Sequence, residues 1–194
     1  MASLRWLLSV AALMFLAGTA LAQQGSTAQA SASVDNAFVQ KQFGTNCTLL
    51  NIAPATSDLD GDGVEDVVIP ARCTSPMQDQ SENGYQVIDP FNAFYGYGNP
   101  AVTTQFSTEE PERRGYSLLI IHGAGPDAWH SAHPKAKFLV VNLPFNHVAV
   151  KKLTIKKKTR MAIYVAETGG NATVSVLFWD GKKYRYQPMG SSLE

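Results

Sequence analysis

Asp58-Leu59-Asp60-Gly61-Asp62-Gly63-Val64-Glu65-Asp66, running without a break into Val67-Val68-Ile69, sets the fold of this chain. Asp58, Asp60, Asp62 and Asp66 stand at positions 1, 3, 5 and 9 of the stretch, with Val64 at 7. Calcium takes six to eight hard oxygen ligands, and a tight loop supplies them from alternate side chains and a backbone carbonyl. Gly63 permits the sharp bend that turns the carboxylates inward. Four carboxylates so close repel one another unless a cation lies between them. The β-branched run that follows predicts a strand, so the loop is a turn feeding a sheet.

The flanking sequence fits that reading. Cys47 and Cys73 are equidistant from Asp60 and are the only cysteines in the chain. A hairpin centred on the loop would place them face to face and allow one disulfide; the alternative is a pair of buried thiols. An EF-hand is excluded on two counts. Position 12 is Ile69 where a bidentate Glu is needed, and the segment continues as strand rather than helix.

Residues 58–68 resemble the calcium loop of FG-GAP and VCBS-type repeats, the blade units of integrin-like propellers. The resemblance covers about a dozen residues and one copy, so it implies a strand-flanked calcium loop and not a whole propeller. The ligand set it points to is Asp58, Asp60, Asp62, Val64 and Asp66, with Ca2+ preferred over Mg2+, which keeps more water.

Outward from the loop, the pattern is mostly β. Strands are predicted at 47–52, 67–73, 85–88, 117–122, 138–143, 147–155, 161–167, 174–179 and 184–187. The continuous apolar runs Leu118–Ile121 and Phe138–Val141 suit strands covered on both faces. Asp180-Gly181 between two aromatic-rich runs predicts a hairpin with a type I′ turn. A short helix is predicted over Val34–Phe43, capped by Ser33 or Asp35 and ended by Gly44, and another over Pro126–His133. Pro90–Gly115 reads as a long irregular excursion. The expectation is an α+β domain, mainly antiparallel sheet with a short N-terminal helix, over residues 34–194.

The first residues give an address. Arg5 is the only charged residue before Asp35; the apolar run Trp6–Leu16 and the small-residue ending Ala20-Leu21-Ala22 follow it. These are the parts of a cleavable signal peptide over residues 1–22. Residues 23–33 are then a flexible leader rich in Gln, Ser and Ala. No Cys follows the cleavage site, so the lipid attachment point of a lipoprotein is missing. The expected product is periplasmic or extracellular, with no transmembrane segment in the mature protein. The 16 basic and 16 acidic side chains balance, which gives no electrostatic footprint for nucleic acid.

Weaker features admit other chemistries. His122-Gly123-Ala124-Gly125 has the form of an esterase oxyanion loop, but Gly115-Tyr116-Ser117-Leu118-Leu119 lacks the second glycine of a nucleophile elbow. His122, His130 and His133 are a candidate zinc set. The basic run Lys151, Lys152, Lys156, Lys157, Lys158 and Arg160 is the solvent face of an edge strand or a surface for anionic envelope polymer. Phe91, Phe94, Tyr95 and Tyr97 are a candidate platform for sugar rings or simply anchor their loop. The reading that joins most of these residues is an exported, calcium-binding, disulfide-stabilised module that is not an enzyme and whose partner is unknown. The alternatives are a secreted hydrolase using the His122/His130/His133 region and an envelope-polymer or glycan-binding domain.

Overall fold

A computed structural model describes residues 33–95, 111–168 and 174–189. The aromatic candidate Tyr97 lies outside them, as do the predicted signal peptide and most of the predicted leader. Helix α1 (Asn36–Phe43) begins where Asp35 accepts the Phe38 amide at 2.7 Å and ends at Gly44, whose φ of 90° closes the last turn. It leads into β1 (Cys47–Leu49), β2 (Ala55–Ser57) and β3 (Asp66–Cys73). Then come α2 (Gln80–Asn83), β4 (Gln86–Ile88), α3 (Pro90–Tyr95) and β5 (Tyr116–His122). The chain closes with β6 (Ala136–Val140), β7 (Phe145–Ile155), β8 (Lys158–Glu167), β9 (Val174–Trp179) and β10 (Tyr184–Met189).

Two sheets result. The first has the order β1-β3-β5-β6-β4, with β2 also pairing β3; the second has the order β10-β9-β8-β7. Among the described residues every pairing is antiparallel except β4 with β6. The fold is therefore α+β and mainly antiparallel, as the patterning predicts.

The apolar runs owe their continuity to burial on both faces. Ile69, Leu119, Ile121 and Leu139 point to one side of the first sheet, under Val39 and Phe43 of α1 and under Trp129. Val68, Leu118, Ile120 and Phe138 point to the other, against Val148, Ile163, Leu177 and Tyr184 of the second sheet. Each fully buried Leu or Ile of such a double layer contributes roughly 1.5–3 kcal/mol. The central strands have no solvent face, and polar residues are accordingly absent from their middles.

Several local expectations are corrected. The first residues of the predicted Pro90–Gly115 excursion, Pro90–Tyr95, form α3, because Asp89 caps the helix through the Asn92 amide and Pro suits its first position; residues 96–110 of that stretch lie outside the described residues. Over 125–130 the chain forms a 3-10 segment, not an α-helix, because Ala128 sits at φ 50° and ψ −130° and breaks the regular turn. Strand β6 stops at Val140, ahead of Asn142 with its positive φ of 57°. The β9–β10 hairpin exists, but Tyr184 pairs with Trp179 and leaves a four-residue connection. There Asp180 Oδ1 accepts the Lys182 and Lys183 amides, and only Gly181 takes a positive φ. The turn with two positive φ values is elsewhere: Lys156 and Lys157, at 49° and 66°, join Ile155 to Lys158.

Candidate metal centre

The acidic loop connects β2 to β3, and the disulfide closes the far end of the same ribbon. Cys47 and Cys73 are directly opposed with Cα atoms 4.1 Å apart, and they are bonded. The symmetric register holds from Cys47↔Cys73 to Leu49↔Ala71 and then slips. Residues 50–54 lie opposite only Ile69 and Pro70, after which Ala55 pairs with Val68. The slip sets Asp66 at the first position of β3, opposite Ser57.

Asp58 is the organiser of the loop. Its Oδ1 accepts the amides of Gly61 and Asp62, and its Oδ2 accepts that of Gly63, at 2.8, 3.1 and 2.9 Å. Asp62 Oδ1 accepts the Val64 amide at 2.9 Å. Gly61 and Gly63 adopt φ of 81° and 86°, the left-handed conformations that this wrapping requires. Asp66 is buried at 1% exposure and accepts three amides, those of Leu59, Asp60 and Gly123.

These contacts bring Asp58, Asp60 and Asp66 together with one carboxylate oxygen from each, all within 4.8 Å of one another. Two oxygens on a single calcium lie at most about 5 Å apart, given Ca–O distances near 2.5 Å. The three carboxylates therefore fit a hard cation, and among the described residues no other group of His, Cys, Asp or Glu does so. Burial pushes the Asp66 carboxyl up to about 6, opposed by the amides of Gly123 and Leu59 and reinforced by the neighbouring Asp60 charge. Asp62 lies outside the cluster: its Oδ2 is 2.6 Å from Lys135 Nζ, and that hydrogen bond holds its carboxyl below the usual range. Val64 contributes its amide to the Asp62 side chain and lies half-buried at the loop's exit.

Three residues distant in the sequence complete the surroundings. Lys135 Nζ also lies 2.7 Å from Asp60 Oδ2. His122, at the end of β5, places Nδ1 3.3 Å from the same oxygen and Nε2 2.7 Å from the Tyr184 hydroxyl. Burial holds the His122 imidazole below its ordinary pKa against the pull of Asp60, and burial pushes the Tyr184 phenol well above its own. The loop is thus tied to the second sheet through one imidazole.

This arrangement gives the histidine and glycine motifs other roles. His130 stacks on Trp129 at 3.5 Å between ring centroids, and His133 lies near Ser131, so the three histidines are not gathered as a zinc set. The Gly123 amide donates to Asp66. A Cβ on Gly123 would lie 2.3 Å from the Glu65 carbonyl oxygen, so the glycine permits the close approach of the turn to the loop. The Ser117 hydroxyl donates to the Gly115 carbonyl within a buried strand. Glu65, inside the acidic stretch, accepts from Thr56 and from the Trp129 indole, and so braces the loop rather than joining the cluster. Sequence reasoning missed Lys135 and Tyr184, since neither carries a local signal of proximity to the loop.

Among the described residues no helix is long and apolar enough to cross a membrane. Comparison with known families, characterised proteins and solved structures finds no match for this chain.

Proposed function

We propose that this protein is an exported, non-enzymatic module in which calcium at Asp58, Asp60 and Asp66, with Asp62 and the Val64 carbonyl completing the shell, fixes a disulfide-locked ribbon. The observation that carries the reading is the convergence of the three carboxylates within 4.8 Å at the head of that ribbon. Ion and bridge then constrain opposite ends of one β-structure, and the bridge alone is worth roughly 3 kcal/mol. Export is supported by the Arg5, Trp6–Leu16 and Ala20–Ala22 pattern and by the disulfide, which suits an oxidising compartment.

Calorimetric calcium titration tests it, run on the oxidised protein beside an Asp58→Asn, Asp60→Asn variant. One site in the wild type, lost in the variant, with a melting temperature that rises with calcium, is expected. At a hundredfold excess over Kd the ion adds about 2.7 kcal/mol. No heat and no thermal shift in the wild type would leave the loop an acidic turn neutralised by Lys135.

A further inference from the structure

An open cleft of about 610 Å³ lies between the loop and the projecting tip of the β7–β8 hairpin. Its loop-side wall includes Asp58 and Gly61, and its floor and far wall include Trp179, Met161, Lys152 and Lys158. The volume falls in the range of small-ligand sites, roughly 300–1,000 Å³. Alternation along the hairpin explains the lining by Met161 and Lys152; Lys158 pairs with Ile155, on the opposite face, and borders the cleft where the strands turn. Met161 and its cross-strand partner Lys152 face the first sheet, but at the tip that sheet has ended and only the loop stands opposite.

The chemistry of the walls is specific. Trp179 packs against His122, Phe138 and Tyr184 with ring centroids 5.1, 5.4 and 5.3 Å away, and the part of its surface left half-exposed lines the cleft beside Met161. Lys152 and Lys158 are exposed, and among the described residues neither has a carboxylate within 4.0 Å. Thr159 adds a hydroxyl at the same rim, where the Asp180 carboxylate is held by the Lys182 and Lys183 amides and by Arg185. The acidic wall is already engaged: Asp58 accepts three loop amides and Asp60 faces Lys135 and His122. An ion in the loop neutralises that wall further and leaves the cleft a surplus of positive charge, concentrated by its low-dielectric sides.

We infer that this cleft binds an acidic saccharide, the C–H face of a sugar ring lying on Trp179 and its carboxylate or phosphate meeting Lys152 and Lys158. An apolar ligand would bury the ammonium groups without partners, and a plain anion would leave the cleft-lining part of the indole uncovered. A hydroxyl-rich ring with one acid group matches donors, acceptors and indole surface together. The inference rests on the calcium reading in one respect, the neutralised acidic wall.

The test is titration of the full protein with an oligogalacturonate, with glucose 6-phosphate and with a neutral malto-oligosaccharide, each in calcium and in EGTA, reading heat and indole fluorescence. Binding of either acidic sugar, weakened about tenfold or more in a Lys152→Glu, Lys158→Glu variant of unchanged melting temperature, is the expected result. Which acidic sugar binds then distinguishes carboxylate from phosphate. Equal binding of the neutral sugar, indifference to the charge reversals, or no sugar binding alongside adsorption to anionic phosphatidylglycerol vesicles would overturn it. Calcium heat read in the same experiment separates the two claims. An ion that binds without sugar refutes the cleft alone, whereas an absent ion refutes the loop and leaves sugar binding in EGTA to judge the cleft.

Discussion

Lys135 and Asp60 are 75 residues apart in the chain, yet the ammonium of one lies 2.7 Å from the carboxylate of the other. The same ammonium lies 2.6 Å from Asp62, and these two hydrogen bonds hold the lysine above its usual pKa. A monovalent side chain therefore lies against carboxylates that the proposed divalent ion would need.

The first prediction follows from that competition. Calcium must draw Asp60 and Asp62 away from an ammonium, so Lys135→Met is expected to raise calcium affinity about tenfold. The same change lowers the melting temperature of the ion-free protein, whose acidic loop loses its internal cation. Calorimetry and thermal melts in EGTA check both halves; an affinity that falls would show that Lys135 helps to hold the loop in its binding shape.

A second prediction concerns the contact between turn and loop. Gly123→Ala sets a methyl group 2.3 Å from the Glu65 carbonyl oxygen and 2.8 Å from the Ala128 carbonyl carbon. Backbone cannot yield as a side-chain tip does, and the expected loss is about 2–3 kcal/mol in urea unfolding. Asp66→Ala, which orphans the buried amides of Leu59, Asp60 and Gly123, is expected to cost at least as much. Gly125→Ala is the control: its Cβ meets open space and only its positive φ of 62° is penalised.

At the β7–β8 turn the sequence works against its own conformation. Lys156 and Lys157 hold positive φ, which costs an L-residue roughly 1–2 kcal/mol each. Replacing the pair by Asn-Gly is expected to stabilise the fold by about 1 kcal/mol, read as a raised urea midpoint at unchanged slope. A loss of stability would mean that the lysines make compensating contacts at the tip.

The β9–β10 connection supplies a pH dependence. Burial works to raise the Asp180 carboxyl, but the amides of Lys183 and Lys182 and the Arg185 guanidinium outweigh it and hold the group at about 2, below its ordinary 3.8. A carboxyl depressed by folding stabilises above its unfolded pKa, and that contribution disappears as pH falls through the folded value. Asp180→Asn is therefore expected to be less stable than wild type at pH 7, with the gap closing between about pH 4 and pH 2. Solvent screening keeps the gap to about 1 kcal/mol or less. A gap that persists at pH 2 would assign the effect to the loss of turn geometry alone.

Much of the fold was legible because it is local. The β-branched and aromatic runs located every described strand except β2, whose three residues after Pro54 show no alternation long enough to read. The helix α1 was legible from Asp35 and Gly44, and the disulfide from the placement of two cysteines about one loop. The loop itself was legible because its spacing, glycines and charge form one contiguous signal. The contact of the Asp62 carboxylate with Lys135 lies outside that signal, since the lysine stands far along the chain.

The sequence by itself determined the chemistry of the loop and its strand-fed setting, for each is a matter of neighbours along the chain, and it placed the two cysteines symmetrically about that loop. Only the tertiary structure decided what surrounds them. Lys135 and His122 reach Asp60 through the order β3-β5-β6, and the stacking of one sheet on the other brings Tyr184 to His122. Hydrophobic periodicity says which face of a strand is buried and nothing about which strand lies beside it. The second layer of the site and the cleft at Trp179 are products of that strand order, a property of packing that no short stretch of residues contains.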